Sequence, residues 1–393
     1  MPDPLLLLLL LAAVATGWWL GRRQRRRSDD PGTASSLSRD YFVGLNYLLN
    51  DQQDRAIETF VAALEVNSET IDTHITLGNL FRLRGEADRA VKIHQNLLAR
   101  PTLSVTQSER VQLELARDFF RLGLLDRAER LLQGLIRDSR DAECQYSAKR
   151  LLVDLLEREG EWNGALEVAL PQLADQDEDI RRAAAHWLCE LAEQERHEAS
   201  PGLARKHLRR ALSTDPGCVR ANLLLAELEH DTGHYKKEIG ILKRIPDQDP
   251  AYTPTILASL ERAYRLLDNE PGLIRCLQEL VDRAPYTSVV LMLTDTLRQQ
   301  DGSQAASALV SEHLERHPSL GKVDCLMELY RHDGQGATPE RLDLLKRHTH
   351  TLLHALPQHR CRRCGFSGDP LHWLCPQCRS WGTTKPITGI EGD

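Results

Sequence analysis

A mostly small residue returns along this chain at intervals of 33 to 39, at Ala56, Ala90, Ala128, Ala165, Ala204, Glu238, Leu273 and Ala306. That period limits the fold more than any other feature. It belongs to a supersecondary unit too short to bury its own apolar face, so successive copies must stack into one elongated core. Around the first marker stand Gly44, Tyr47, Phe60 and Ala63, and around the second Leu77, Gly78, Phe81, Gly85 and Leu97. Small residues at the eighth and twentieth positions let the two helices of a hairpin cross closely, and the aromatic at the eleventh fills the wedge between hairpins.

This spacing is that of the tetratricopeptide repeat. Eight units are visible, the later ones degenerate, and Pro216, Pro250, Pro285 and Pro318 mark helix ends at the thirty-second position of the fifth to eighth. Intervals above 34 predict longer helices or turns in the third to fifth units, such as Thr102 to Gln107. Residues Leu320 to Leu356 can supply a capping hairpin. The predicted fold is therefore all-α: a superhelix of eight or nine helical hairpins over residues 40–356, with a small C-terminal metal-binding module over 357–393. Charged residues at 27%, few aromatics and no strand-like alternation agree with that reading.

Cys361, Cys364, Cys375 and Cys378 form two Cys-x-x-Cys pairs with ten residues between them. Thiolates spaced in this way bind one ion from a single tight turn, and two such turns facing each other complete a four-sulfur shell. Gly365 can take the positive φ that a knuckle requires, and Pro376 fixes φ in the second pair. Iron and zinc both accept four thiolates in a tetrahedron, so the spacing does not choose between them. Two disulfides are the alternative, and the compartment decides against them.

Compartment is read from the other end. Leu5 to Leu20 is an apolar run followed by five arginines from Arg22 to Arg27, which predicts a transmembrane anchor over residues 1–21 and a basic linker over 22–39. A cleaved signal peptide has the reverse order of charge and apolar stretch. Positive charge after the span places the bulk of the chain on the cytoplasmic side, where thiols stay reduced. The net charge of -7 argues against nonspecific nucleic-acid binding, although Arg360, Arg362, Arg363 and Arg379 surround the cysteine pairs.

The sequence carries no Gly-rich phosphate loop, no Gly-x-Ser-x-Gly elbow and no His-Glu-x-x-His motif, so a non-enzymatic role is expected. Cys144, Cys189, Cys218, Cys276 and Cys325 are scattered singly and read as small buried residues. In stacked hairpins the first helix of each unit lines a concave groove. Counting its inward positions gives Asn79, Arg82, Arg110, Arg117, Phe120, Arg121, Arg150, Asp154, Arg158, Glu193, Arg220 and Glu227 as candidate partner contacts. Neighbouring guanidinium forks with an aromatic anchor suit an acidic or extended protein segment.

The order of parts resembles the lipopolysaccharide assembly protein B family. The resemblance rests on the leucine-rich span with trailing arginines, the opening Asp40-Tyr41-Phe42-x-Gly44-Leu45-Asn46-Tyr47, and the ending from Cys361-x-x-Cys364-Gly365-Phe366 to Trp373-x-Cys375-Pro376-x-Cys378-x-x-Trp381. It implies a rubredoxin-like site in which Cys361, Cys364, Cys375 and Cys378 hold one Fe or Zn ion, on a single-pass protein of the bacterial inner membrane. It further implies an adaptor that lowers the level of the committed-step lipid A deacetylase, with a membrane AAA+ metalloprotease as the second partner. The short interval between the cysteine pairs departs from a full rubredoxin, so electron transfer is not implied. A general scaffold for lipopolysaccharide synthesis enzymes and an iron redox protein are the alternatives, and oligomeric state, a homodimer included, stays open.

Overall fold

A computed structural model describes residues 71–333, apart from Thr102, Pro171, Ala199, Gly302 and Pro318, together with residues 356–388 and isolated positions elsewhere. The predicted anchor and linker, and nearly all of the first repeat, lie outside the described residues. Among those described, no helix is long and apolar enough to cross a membrane. The chain divides into two compact units, residues 1–148 and 149–393.

The N-terminal unit is built of antiparallel helices α1 (Ile71–Leu83), α2 (Ala87–Leu98), α3 (Val105–Arg121) and α4 (Leu125–Asp138), with α5 (Ala142–Glu159) running on across the division. Within the segment Thr102 to Gln107, Ser104 to Gln107 is a helix start rather than a long turn. Ser104 accepts a hydrogen bond from the Gln107 backbone N–H while Gln107 reaches back to the Ser104 N–H, so the Ser-x-x-Gln pattern caps α3 from its first residue. On α4 the apolar positions Ala128, Leu132 and Leu135 recur at helical spacing and are all buried. Gly78 on α1 has a packing role: a methyl group there would fall on the ring of His94.

The C-terminal unit continues with α6 (Trp162–Ala169), a short α7 (Leu173–Gln176), α8 (Glu178–His197), α9 (Pro201–Thr214), α10 (Val219–Asp231), α11 (Tyr235–Leu242), a short α12 (Ile245–Gln248) and a 3₁₀ turn at Pro250–Tyr252. Helices α13 (Thr253–Leu266), α14 (Glu270–Arg283), α15 (Thr287–Asp301), α16 (Ser303–Arg316) and α17 (Leu320–Asp333) follow. The long repeat intervals have their cause in long helices, since α3, α5 and α8 run for 17, 18 and 20 residues. One apolar cluster from Val219 to Leu293 forms the core of α10 to α15.

The markers that lie among the described residues point inward; Ala56 lies outside them. Ala90, Ala128, Ala165, Ala204, Leu273 and Ala306 are at most 2% exposed. Glu238 is buried at the same structural position, where its carboxylate meets His230 Nδ1 at 2.8 Å. The polar side chain is tolerated because it has that partner.

Residues 356–388 form a different structure, a three-stranded antiparallel sheet in the order β2-β1-β3. Strand β1 (His359–Cys361) pairs with β2 (Ser367–Gly368) and with β3 (Thr384–Pro386), and Leu374 bridges to Trp381.

Candidate metal centre and its seat on the repeats

The two cysteine pairs sit on matching turns. In the first, the Gly365 N–H donates to the Cys361 carbonyl, and Gly365 has a φ of 81°. In the second, the Arg379 N–H donates to the Cys375 carbonyl, and Arg379 adopts a φ of 52°. The same left-handed step thus follows each pair, once with glycine and once with arginine.

These turns bring all four sulfurs within 4.8 Å of one another. Cys361 and Cys378 Sγ are 3.8 Å apart, and Cys364 and Cys375 Sγ 3.7 Å. A tetrahedral ion with metal–sulfur bonds of about 2.3 Å has sulfur–sulfur edges of about 3.8 Å, whereas a disulfide needs about 2.05 Å. The donor set therefore fits one tetrathiolate ion. Burial pushes the Cys361 thiol up, but hydrogen bonds from the Thr383 hydroxyl and from the Cys364 and Arg363 N–H groups outweigh it and hold its pKa at about 6. A sulfur so held offers the thiolate that a cation requires.

A module of this size cannot bury two tryptophans by itself. On the repeats, Trp381 is buried and Trp373 half-buried. Trp381 stacks on His186 of α8 at 5.1 Å between ring centroids and 18° between planes; Trp373 lies on the other side of that group, 5.8 Å from His186 and 5.5 Å from Tyr252. The Trp381 indole N–H donates to Glu157 Oε2 of α5 at 2.7 Å, and the same oxygen accepts from Trp187 at 3.0 Å. Tyr252 donates its hydroxyl to the Thr384 carbonyl at 2.9 Å. Ion pairs ring the aromatic contact: Arg363 with Asp179 at 3.2 Å, Arg379 with Glu157 at 3.5 Å, and Lys385 with Asp249 at 2.5 Å.

Burial first, then the nearby Arg220 and Arg182, pushes the His186 pKa down to about 3, so the ring is neutral in this seat. Beside it lies a cavity of about 390 Å³ whose wall includes Arg181, Cys218, Tyr252, Arg362 and Lys385. A second cavity of about 220 Å³ lies beside Cys378, between Arg150, Asp154 and Glu157 of the repeats and Arg379 of the module.

The groove candidates divide by environment. Arg82 is largely buried, forking to Glu114 and Asp118 at 2.7 Å with Asn79 as a further acceptor, and Arg117 also pairs with Glu114. Arg220 is 5% exposed and forks to Glu190 and to Glu193. Arg110 pairs with Asp72, Arg150 with Asp177, and Glu227 with Arg196. Arg121 and Arg158 are exposed and Phe120 is half-buried. Only Arg150 and Asp154 are brought to the metal module. Sequence reasoning missed Glu157, His186, Tyr252, Asp179 and Asp249, which form its seat. The available signal was Trp373 and Trp381, two large aromatics in a module without a core to hold them.

Comparison with known proteins agrees with this architecture. The rubredoxin metal binding domain family matches residues 359–386, and the tetratricopeptide repeat family matches residues 199–253. The chain is similar to lipopolysaccharide assembly protein B of Escherichia coli K12, at 35% identity over 363 residues that cover 91% of this chain and 92% of that protein. It is similar at 36% identity to the protein of the same name from Haemophilus influenzae, covering 92% of this chain and 93% of that one. Among solved structures, a tetratricopeptide repeat protein from Parabacteroides merdae aligns at a TM-score of 0.34 and 13% identity, over 72% of this chain and all of that one, too loosely to argue from.

Proposed function

The chain belongs to the lipopolysaccharide assembly protein B family, and from that premise we propose that it is a non-enzymatic adaptor of lipopolysaccharide biosynthesis at the bacterial inner membrane. In this reading it presents the lipid A deacetylase of the committed step to a membrane AAA+ metalloprotease. Other lipopolysaccharide synthesis or transport proteins would be further partners. An anchor over residues 1–21 would confine the repeats to the membrane surface, where a raised effective concentration makes weak contacts sufficient. The bulk of the chain would then face the cytoplasm.

One observation carries the reading: the metal module is seated on the repeats through Trp381, Trp373 and three ion pairs. A module held in this way extends the repeat surface, and its four cysteines make that surface depend on a bound ion. The ion, iron or zinc, would supply the cross-link that holds the two turns together. The residues of the chain do the rest. Within the N-terminal unit, exposed Arg121 beside half-buried Phe120 is a groove position suited to an acidic or extended segment.

The test is deacetylase half-life in cells. Replacing all four cysteines by serine should lengthen it, and Glu157→Ala, which keeps every metal ligand but leaves the Trp381 and Trp187 N–H groups without their acceptor, should lengthen it in part. Normal turnover in the four-cysteine variant would end the adaptor reading. Capture of several biosynthetic enzymes from cells lacking the protease would favour a general scaffold instead.

A further inference from the structure

Five cysteines lie outside the metal module, and two of them meet. Cys189, in the middle of α8, and Cys218, the residue that precedes α10, place their sulfurs 4.0 Å apart. Cys189 is wholly enclosed and Cys218 is 3% exposed. Their surroundings differ. Cys218 forms part of the wall of the 390 Å³ cavity beside the metal module, whereas Cys189 does not.

The two thiols also differ in character. The contact with Cys189 first, and then the Ala221 backbone N–H in the first turn of α10, lower the Cys218 pKa against the cost of burial. Burial pushes Cys189 well up, and Cys144, Cys276 and Cys325 are raised for the same reason. Donors at a helix start favour the thiolate, which is the nucleophile. A reactive sulfur at a cavity wall with a second thiol in contact behind it is the arrangement of an oxidisable pair.

We propose that Cys218 and Cys189 are an oxidation site for a small hydroperoxide, with an intramolecular disulfide as the product. In the first step the Cys218 thiolate attacks one peroxide oxygen; the S–O bond forms, the O–O bond breaks, and the departing hydroxide takes a proton to leave as water. In the second, Cys189 sulfur attacks the sulfenic sulfur of Cys218; the S–S bond forms, the S–O bond breaks, and a second water leaves with the Cys189 proton. Two electrons pass from the two sulfurs to one hydrogen peroxide. Closing the gap from 4.0 Å to a bond of about 2.05 Å requires side-chain rotation with a small shift of α10. The cross-link ties the start of α10 to the helix that carries His186, and so stiffens the seat beneath Trp381. Cellular thiols return the pair to its reduced form.

The experiment uses the full metal-loaded chain and hydrogen peroxide, stepped from below one equivalent, with metal content followed at each dose. After quenching, free thiols are alkylated under denaturing conditions and peptides are read by mass spectrometry. The expected result is a dithiothreitol-sensitive link between the Cys189 and Cys218 peptides, formed before metal is lost and at least about tenfold faster than oxidation of Cys144 or Cys276. In C189S, and in C189A as a second version of the same deletion, Cys218 should instead accumulate as a dimedone-trapped sulfenic acid. Cys189 and Cys218 remaining alkylatable after Cys144 and Cys276 have reacted, or Cys218 linking to a metal-ligand cysteine, would overturn the proposal. The readout is independent of deacetylase turnover, so it fails or stands apart from the adaptor reading.

Discussion

Both units fasten repeat to repeat through buried charge, and the C-terminal unit adds a second, more exposed pattern. In the N-terminal unit, Asp118 is wholly enclosed and takes Arg82 at 2.7 Å on one oxygen and His94 Nδ1 at 2.5 Å on the other, while Glu114 takes the second arm of the Arg82 fork. One network thus ties α1, α2 and α3, and Gly78 leaves the room that the His94 ring needs. In the C-terminal unit Arg220 of α10 likewise forks to Glu190 and Glu193 of α8, and in addition Glu157, Asp179 and Asp249 hold Arg379, Arg363 and Lys385 of the metal module. The first pattern fastens repeat to repeat. The second fastens repeats to something that is not a repeat, and the metal module is in that sense the built-in ligand of the surface. It shows what these repeats grip: aromatic rings laid flat, with basic side chains meeting carboxylates around the rim.

The comparison breaks most visibly if the ligand is unfolded and its host is not. Chelation of the ion, or serine at all four cysteines, removes a contribution of about 10–16 kcal/mol where such sites are structural. The sheet of residues 356–388 should be lost, and Trp373 and Trp381 should move to water, read as a red shift in tryptophan emission. The N-terminal unit should keep its amide protection. A tail still ordered without metal would contradict the design inferred from the sulfur distances. The reverse experiment is Asp118→Ala, which removes the carboxylate from His94 and from one arm of the Arg82 fork in the interior and should cost about 3–5 kcal/mol. Hydrogen exchange should then rise across α1 to α3 while Trp381 emission stays unchanged.

Much of the repeat architecture could be read in advance because a repeat states its packing many times over. Ala90, Ala128, Ala165 and Ala204 were found by period alone, and each is almost fully buried. The four cysteines were equally legible, since two local turns fix their chemistry. The seat was not. Glu157 and Trp381 lie 224 residues apart, and no periodicity links them. The groove positions illustrate a further limit: spacing says which face Arg82 and Arg220 share, but not that Asp118, Glu190 and Glu193 already hold their guanidinium groups. Charge on one helix becomes available or occupied only through what its neighbour carries.

Acidification offers a gentler probe of the second pattern. His186 has a pKa near 3 in the seat, chiefly because burial excludes water and secondly because Arg220 and Arg182 oppose a further positive charge. An exposed histidine titrates near 6.5. The depressed value means that the neutral ring contributes stability fully present above about pH 6.5 and lost as the pH falls from there toward 3. The module should therefore loosen progressively below about pH 6.5, measured by tryptophan emission. Protonation of the four sulfurs acts in the same direction, so the decisive comparison is His186→Phe, which keeps a ring for stacking and cannot titrate. Its profile should be flatter than the parent's over this range; identical profiles would assign the whole effect to the metal centre.

The smallest effect separates the fold of the metal module from its attachment. Arg379 occupies the left-handed position that Gly365 fills in the matching turn, and a residue with a Cβ pays about 1–2 kcal/mol for that conformation. Its guanidinium reaches Glu157 at 3.5 Å, but the side chain is 47% exposed, and a pair of that kind contributes about 0–1 kcal/mol. The two terms act on different equilibria. Arg379→Gly should hold its metal more tightly against a competing chelator, because the second turn is relieved of strain, and should at the same time undock at slightly lower denaturant, because Glu157 loses one of its partners. Weaker metal retention together with weaker docking would mean that Arg379 serves the fold of the turn itself, and the arginine at the glycine position would then owe nothing to the repeats.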